Sequence, residues 1–285
     1  MDPSWRSLQY LDRASLTEAR LQAHFATQWL ARAARAFVPP VPDDAHTSLG
    51  WQDAWDGFVT RRFDNGARLG LRLPDLTLAL TGEDGAALAP NFSLIGRTDA
   101  EAGEGLKSAL RHVGINPVRL DDPPPYAMPD HPIARGAAFG GERLSEGLVE
   151  LSAWFANAAR SLDRARGIIA AMGHEAPPPR CWPHHFDLAM LASFPIPDDE
   201  ATAYIGAGLS PGDHFYAEPY FYVSIYPQPA AQLPILPALG HWHRDDFTGA
   251  IATSEKITAS SNPQAETDAF LAAALAAAFN AFAGR

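Results

Sequence analysis

Hydrophobic residues recur at helical spacing early in the chain, after the sequence Ser-Leu-Thr-Glu at 15–18. There the serine hydroxyl and the glutamate carboxylate can each satisfy a backbone N–H group of the first turn, which is a capping box. We therefore expect a helix that runs to about Phe37, where Pro39 and Pro40 stop it. The same reasoning predicts helices over 98–114, with a second capping box at Thr98 and Glu101 and Gly114 at the C-terminal cap, over 144–173, and from 261 onward.

A two-residue alternation replaces the helical period between residues 55 and 96. Asn65-Gly66 and Asp84-Gly85 interrupt it, and both pairs tolerate the positive φ of tight hairpins, so the segment predicts an antiparallel meander. Further strands are predicted over 181–194, 202–208, 214–226 and 240–253.

Each half of the chain thus places strands before a helix, and we expect one domain, 1–285, with possible pseudo-repeat halves at 1–130 and 131–285. The predicted fold class is α+β, with antiparallel sheet layers and helices packed on the sheet.

The segment 214–226 carries the strongest indication of a binding surface. On one strand its side chains would alternate between an apolar core face and a face of aromatic and polar groups. The second face contains His214, Tyr216, Glu218, Tyr220, Tyr222, Ser224 and Tyr226. Phenol rings combine apolar area with a hydrogen-bonding tip, which is typical of a pocket wall. We expect Tyr216, Glu218, Tyr220 and Tyr222 to bind a ligand, and the alternative is that the rings pack beneath a helix.

Two histidines of the segment Gly-His-Trp-His, His241 and His243, would lie on one strand face. Imidazoles at positions i and i+2 can aim at one point, as strand-borne zinc and iron ligands do. A third ligand is needed, and the sequence offers His184, His185, Asp187, His214 and Glu218. A divalent transition metal held by His241, His243 and His185 is therefore one hypothesis.

The segment Cys-Trp-Pro-His-His-Phe-Asp offers chemistry without a metal. If it is a strand, His185 shares a face with Asp187, whose carboxylate could fix the imidazole tautomer for acid–base catalysis. His184 would instead share its face with hydrophobic residues, as a buried core histidine does. The spacing does not separate the metal hypothesis from the acid–base hypothesis.

Composition narrows the classes of partner. The net charge of −11 opposes binding to nucleic acid and to anionic lipid. The single cysteine, Cys181, excludes a cysteine zinc cage, and the first residues lack the pattern of a secretory signal, so we expect a cytoplasmic protein. The apolar stretch 269–279 is too short to span a membrane.

The order of motifs resembles a family of bacterial proteins of unknown function. The shared features are an aromatic-rich strand that ends in Phe-Asp-Leu-Ala (186–189) and a tyrosine-rich strand that ends in Tyr-Pro-x-Pro (226–229). The resemblance extends from about Trp51 onward. It implies a shared fold, and no activity comes with it.

Two functions remain open from the sequence. The first is a small-molecule pocket lined by Tyr, His and Glu, in either a binding protein or a metal-dependent or acid–base enzyme. The second is a noncatalytic interaction protein whose aromatic sheet face is buried in a homo-oligomer, since interfaces are also enriched in aromatic residues.

Overall fold

Five helices and two antiparallel sheets make up the computed structural model, which describes residues 5–9, 11–196, 201–229, 232–237 and 239–283. The predicted α+β class is confirmed. The helices are α1 (Arg13–Phe37), α2 (Asp99–His112), α3 (Leu144–Ala171), α4 (Ser254–Thr258) and α5 (Pro263–Ala283). The strands are β1 (Gly50–Gln52), β2 (Gly57–Val59), β3 (Arg68–Arg72), β4 (Thr77–Thr81), β5 (Phe92–Ser93), β6 (Arg180–Trp182), β7 (Asp187–Pro195), β8 (Thr202–Ser210), β9 (Tyr220–Tyr226), β10 (Gly240–His243) and β11 (Thr248–Thr253).

Backbone contacts divide the chain into two units. The N-unit comprises Leu11–Ser152 and Cys181–Phe186, and the C-unit comprises Met1–Tyr10, Ala153–Arg180 and Asp187–Arg285. These limits differ from the pseudo-repeat halves that the order of elements suggested, and the single-domain interpretation stays a prediction.

The first sheet lies in the N-unit and has the order β1-β2-β3-β4-β5, which confirms the meander. Gly66 and Gly85 both adopt a φ of +82° in the predicted turns. The side chains of Leu69, Leu71 and Leu78 are at most 1% exposed, on the face of the sheet that builds the core, and α1 packs against β3. On the opposite face of this sheet, Gly70 of β3 pairs with Val59 of β2 and with Ala79 of β4.

The start of α1 differs from the prediction. Asp12, not Ser15, caps the helix, because its carboxylate accepts from the Ser15 backbone N–H at 2.9 Å and from the Ser15 hydroxyl at 2.8 Å. Glu18 accepts from Gln22 and lies 3.2 Å from His131 Nε2 instead of capping. Aspartate is as good an N-cap residue as serine, and Asp12 lies three residues before Ser15. The helix therefore begins about one turn earlier than predicted.

The other helix ends follow the sequence. Thr98 and Glu101 form the capping box of α2, and Gly114 takes a φ of +78° after it. The Asn262 side chain accepts from the Ala265 N–H group at the start of α5. Among the described residues, no helix combines the length and the apolar character needed to cross a membrane.

The second sheet has the order β10-β11-β9-β8-β7-β6, and α5 packs on β8, β9 and β11 of the C-unit. Phe221, Val223 and Ile225 are at most 4% exposed, which confirms the apolar face predicted for this strand. The sheet therefore has one face in the core and one face of phenols and small residues.

Three predicted strands differ in the structure. The segment 240–253 forms two antiparallel strands, β10 and β11, instead of one strand, and the other two are shorter than expected. Strand β9 begins only at Tyr220, so residues 214–219 lie in a loop where strand alternation does not apply. The segment 181–194 is broken by a turn at 183–186, in which Phe186 takes a φ of +58°. Pro183 explains the break at 183–186 and Pro219 explains the late start of β9, because neither proline can donate to a sheet ladder.

Glycines in β8 create the room that the tyrosine face requires. Gly208 pairs with Tyr222, and a Cβ on Gly208 would lie 2.6 Å from the Tyr222 hydroxyl oxygen and 2.7 Å from its Cζ. The phenol ring of Tyr222 therefore lies across the backbone of β8. A side chain at position 208 would displace it.

We predict that Gly208→Ala lowers the free energy of unfolding by on the order of 2 kcal/mol, because the new methyl group collides with Tyr222. Urea denaturation measures the change. Gly167→Ala in α3 is the matched control, since a Cβ there meets nothing within 4 Å. It should stabilise the protein by about 0.5–1 kcal/mol. Equal effects of the two substitutions would contradict the close packing of Tyr222 on β8.

Candidate functional site

Pairing registers place the tyrosines of β9 and the histidines of β10 on the same face of the second sheet. Tyr222 pairs with Ile251 of β11, and Ile251 pairs with His241. His243 lies one pleat further along the same face of β10. We call this surface the phenol face, and it comprises Tyr220, Tyr222, His241 and His243, with Tyr216 and Asp213 from the preceding loop and Asp187 from β7.

Tyr216 connects the two histidines of the phenol face. Its hydroxyl oxygen lies 3.0 Å from His241 Nε2 and 3.1 Å from His243 Nδ1. The two imidazoles therefore converge on one point, as their spacing on β10 predicted, and the phenol oxygen occupies that point. All three side chains are half-buried.

The protons of this cluster follow from its hydrogen bonds. His243 Nε2 lies 2.5 Å from the Asp245 carbonyl oxygen, which can only accept, so Nε2 carries the proton. In the neutral ring Nδ1 is then an acceptor, and the Tyr216 hydroxyl donates to it. The phenol oxygen in turn accepts from His241 Nε2–H. The result is one chain of donors from His241 through Tyr216 and His243 to the Asp245 carbonyl group.

His241 stands at the open end of this chain. With its proton on Nε2, the neutral ring keeps a lone pair on Nδ1, and within the described ranges no hydrogen-bond partner contacts that atom. Partial burial, the positive charge of Lys256 and the neighbouring His243 all lower the pKa of His241 below its usual 6.5. His241 is therefore a neutral base at neutral pH.

Asp213 holds the loop that delivers Tyr216. One carboxylate oxygen accepts from the backbone N–H groups of Phe215 (2.8 Å) and Tyr216 (3.1 Å), and the other accepts from the Tyr220 hydroxyl (2.5 Å). The Asp213 N–H group also donates to the Tyr216 carbonyl oxygen at 2.7 Å. Sequence reasoning missed Asp213 because it treated the segment as a strand, although an aspartate that bonds to backbone N–H groups two and three residues ahead is a common turn signal.

Tyr220 and Tyr222 each donate to a carboxylate. Tyr222 lies 2.5 Å from Asp187 Oδ2, and burial together with the neighbouring carboxylate raises the pKa of both phenols. Both therefore stay protonated. Tyr220 is only 4% exposed, so a ligand that binds it as predicted would have to contact a buried ring.

Glu218, the fourth residue predicted to bind a ligand, lies in the loop before β9. Its carboxylate accepts from the Ser254 hydroxyl at 2.9 Å, at the start of α4. This contact ties the loop to α4, and a role for Glu218 in ligand binding stays a prediction.

The paired histidines His184 and His185 lie in the turn at 183–186, within the N-unit. Both side chains are exposed, with ring centroids 4.1 Å apart, so the prediction that His184 is a buried core histidine is wrong. The turn also removes the strand alternation that paired His185 with Asp187. Asp187 instead accepts from Tyr222, and the assignment of His185 and Asp187 as a catalytic pair stays a prediction without its original basis.

The buried histidine beside this turn is His24 of α1, which sequence reasoning did not single out. His24 Nε2 lies 2.8 Å from the Pro183 carbonyl oxygen, which Gln28 also approaches at 2.9 Å. The His24 ring stacks on Phe186 with an interplanar angle of 5°. Burial lowers the pKa of His24 to about 4, an effect to which Arg20, His185 and His184 add. A neutral imidazole and an amide thus anchor the turn to α1.

A metal centre finds no support in the geometry. Among the residues that the structure describes, no three His, Cys, Asp or Glu side chains are grouped so that they could hold a metal ion. His241 and His243 both direct a ring nitrogen to Tyr216, and His185 belongs to the N-unit. The predicted metal site at His241, His243 and His185 stays a prediction.

Family models, curated proteins and solved structures were compared with this chain, and none matched it. The resemblance through Phe-Asp-Leu-Ala and Tyr-Pro-x-Pro stays a prediction. The geometry of the phenol face is therefore the basis for a proposed function.

We predict that stability falls as the pH drops from about 6.5 to 4, because the unfolded chain protonates His24 in that range and the folded chain does not. The contribution of His24 is present above pH 6.5 and is lost as the pH falls toward 4; it amounts to on the order of 3 kcal/mol. His24→Gln keeps a donor for Pro183 and should flatten this dependence in urea titrations. The control His112→Gln, on the exposed end of α2, should retain it. Identical pH profiles for the two variants would refute the assignment.

We predict that Asp213→Ala lowers the free energy of unfolding by about 3 kcal/mol, because it removes a charged acceptor from the Tyr220 hydroxyl and two backbone N–H groups. The neighbouring Asp245→Ala is the control. It keeps the backbone carbonyl that binds His243 and removes only an exposed carboxylate, so it should cost less than about 0.5 kcal/mol. Comparable losses in the two variants would show that Asp213 does not organise the loop.

Proposed function

We propose that the phenol face binds a small molecule and removes a proton from it, with His241 as the general base. The observation that carries the proposal is the donor chain from His241 through Tyr216 and His243 to the Asp245 carbonyl group. It fixes the tautomer of both rings and leaves a lone pair at the half-exposed end.

The chain favours proton transfer because it stabilises the protonated product. When His241 Nδ1 takes a proton, Nε2–H becomes part of an imidazolium and its bond to the Tyr216 oxygen strengthens. Tyr216 already donates to His243, so the positive charge is shared along bonds that exist before the reaction. Such preorganised groups need no reorientation during the chemical step.

The charges around His241 favour a substrate that becomes an anion. Lys256 acts on the His241 ring, where its positive charge lowers the imidazole pKa, and the same charge would favour an enolate formed next to the base. Tyr220 and Tyr222 remain neutral phenols and give the face apolar area without adding negative charge. A small carbonyl compound with an acidic α-hydrogen fits these properties.

Exchange of α-hydrogens for deuterium in D₂O, followed by proton NMR with a panel of small ketones and 2-oxo acids, tests the function. We expect exchange faster than the buffer rate with at least one compound, and a loss of about 100-fold or more in His241→Gln, which keeps a polar side chain but lacks the base. Tyr216→Phe should lose less, because the base remains while its support is removed. The control His112→Gln should match the unmodified protein. Exchange that is unchanged in His241→Gln, or absent with every compound, would contradict the proposal.

A second candidate is the noncatalytic interaction protein. Tyr204, Tyr226 and Leu191 lie on the same sheet face at its outer end, and they are 39%, 68% and 49% exposed. An exposed apolar surface of this kind could bind a second copy of the chain. This candidate predicts a dimer in sedimentation experiments that Tyr226→Lys dissociates, whereas the enzyme proposal does not require one.

A further inference from the structure

The outer face of the first sheet contains a pocket that is separate from the phenol face. Within the N-unit, β3 and β4 direct large leucines to the core and place Gly70 opposite Ala79 on the outer side. Both outer residues are buried, and the side chain of Trp55, from the turn between β1 and β2, lies beside Gly70. The resulting hollow has a volume of about 180 Å³, and we call it the Trp55 pocket. Its lining includes Gln52, Trp55, Val59, Arg68, Gly70 and Ala79.

The floor of the pocket is apolar and has no large side chain. A Cβ on Gly70 would lie 3.3 Å from Trp55 Nε1 and 3.4 Å from Val59 Cγ1, so the absence of a side chain at position 70 is what keeps the hollow open. An apolar cavity of about 150 Å³ is large enough for a benzene ring. The Trp55 pocket therefore has room for one ring.

Arg68 supplies a cation at this pocket. Its guanidinium group makes no ion pair or hydrogen bond with the side chains that the structure describes. The neighbouring guanidinium groups are engaged: Arg72 pairs with Asp75, and Arg62 donates to the carbonyl oxygens of the turns. In a chain with a net charge of −11, a half-buried guanidinium without a partner beside an apolar hollow has the chemistry that would recognise an anion.

Trp55 adds a second donor. Its indole N–H is buried, and among the described residues it has no hydrogen-bond partner. A buried donor without an acceptor is unfavourable, and a bound acceptor that shifted the indole enough to reach the N–H group would remove that cost. Two donors and an apolar floor match a carboxylate attached to a ring better than they match phosphate, whose oxygens require more donors.

We propose that the Trp55 pocket binds a small carboxylate that carries a single ring. The ring lies on Gly70 and Ala79 beside Trp55, and the carboxylate pairs with Arg68. The site belongs to the N-unit and does not depend on the chemistry proposed for the phenol face.

Phenylacetate is the probe, and phenylacetamide is its uncharged counterpart of nearly the same shape. Titration of the full chain by calorimetry or ligand-observed NMR should show saturable binding of phenylacetate and at least tenfold weaker binding of the amide. Arg68→Gln should weaken binding of phenylacetate by about tenfold or more, since it removes a charge-assisted contact. Trp55→Phe, which keeps a ring and removes the N–H group, should weaken it about threefold to tenfold.

Arg111→Gln is the matched control, because it removes the same charge from the exposed surface of α2 and should bind phenylacetate as the unmodified chain does. Circular dichroism and urea denaturation verify that each variant is folded. The proposal is overturned if phenylacetate does not saturate at millimolar concentrations or if the amide binds equally well. It is also overturned if inorganic phosphate displaces phenylacetate at equal concentration, or if Arg68→Gln and Arg111→Gln have the same effect.

Discussion

The bond of Asp213 to the Tyr220 hydroxyl is the interaction on which the candidate site depends. The Asp213 carboxylate accepts hydrogen bonds from one phenol hydroxyl and two backbone N–H groups, and these bonds fix a proline-bounded loop that no sheet ladder supports. The loop then holds Tyr216 against the two histidines of β10. Without the Asp213 carboxylate, the loop would lose three of the hydrogen bonds that hold Tyr216 beside the imidazoles.

The two carboxylates of the phenol face act as hydrogen-bond acceptors for its phenols. Asp213 accepts a hydrogen bond from the Tyr220 hydroxyl, and Asp187 accepts one from the Tyr222 hydroxyl. Both phenols keep their protons because burial disfavours their ionisation. In the function proposed above, the reactive group is the imidazole of His241 on the edge strand β10.

Much of the fold follows from local patterns in the sequence. The hairpin turns at Gly66 and Gly85 and the capping box at Thr98 are determined by a few adjacent residues, and the structure shows each of them where the sequence predicts it. The predicted start of α1 is wrong because Asp12 and Ser15 are both suitable N-cap residues. Only the structure shows that Asp12 is the cap.

The site could be predicted only in part. The spacing of His241 and His243 was sufficient to infer that they converge, because their strand is regular. The partner at the point of convergence could not be inferred, since Tyr216 arrives from a loop that Asp213 shapes. The pairing of His185 with Asp187 assumed a strand that Pro183 and the left-handed Phe186 interrupt.

The tautomer of His243 tests the account most directly, because the donor chain and the free lone pair of His241 both follow from it. Long-range ¹H–¹⁵N spectra of the histidine rings at neutral pH separate protonated from unprotonated ring nitrogens. The account predicts that both His243 and His241 carry the proton on Nε2, and that Tyr216→Phe shifts the Nδ1 resonance of His243 toward that of a free acceptor. A His243 ring that is protonated on Nδ1 would contradict it.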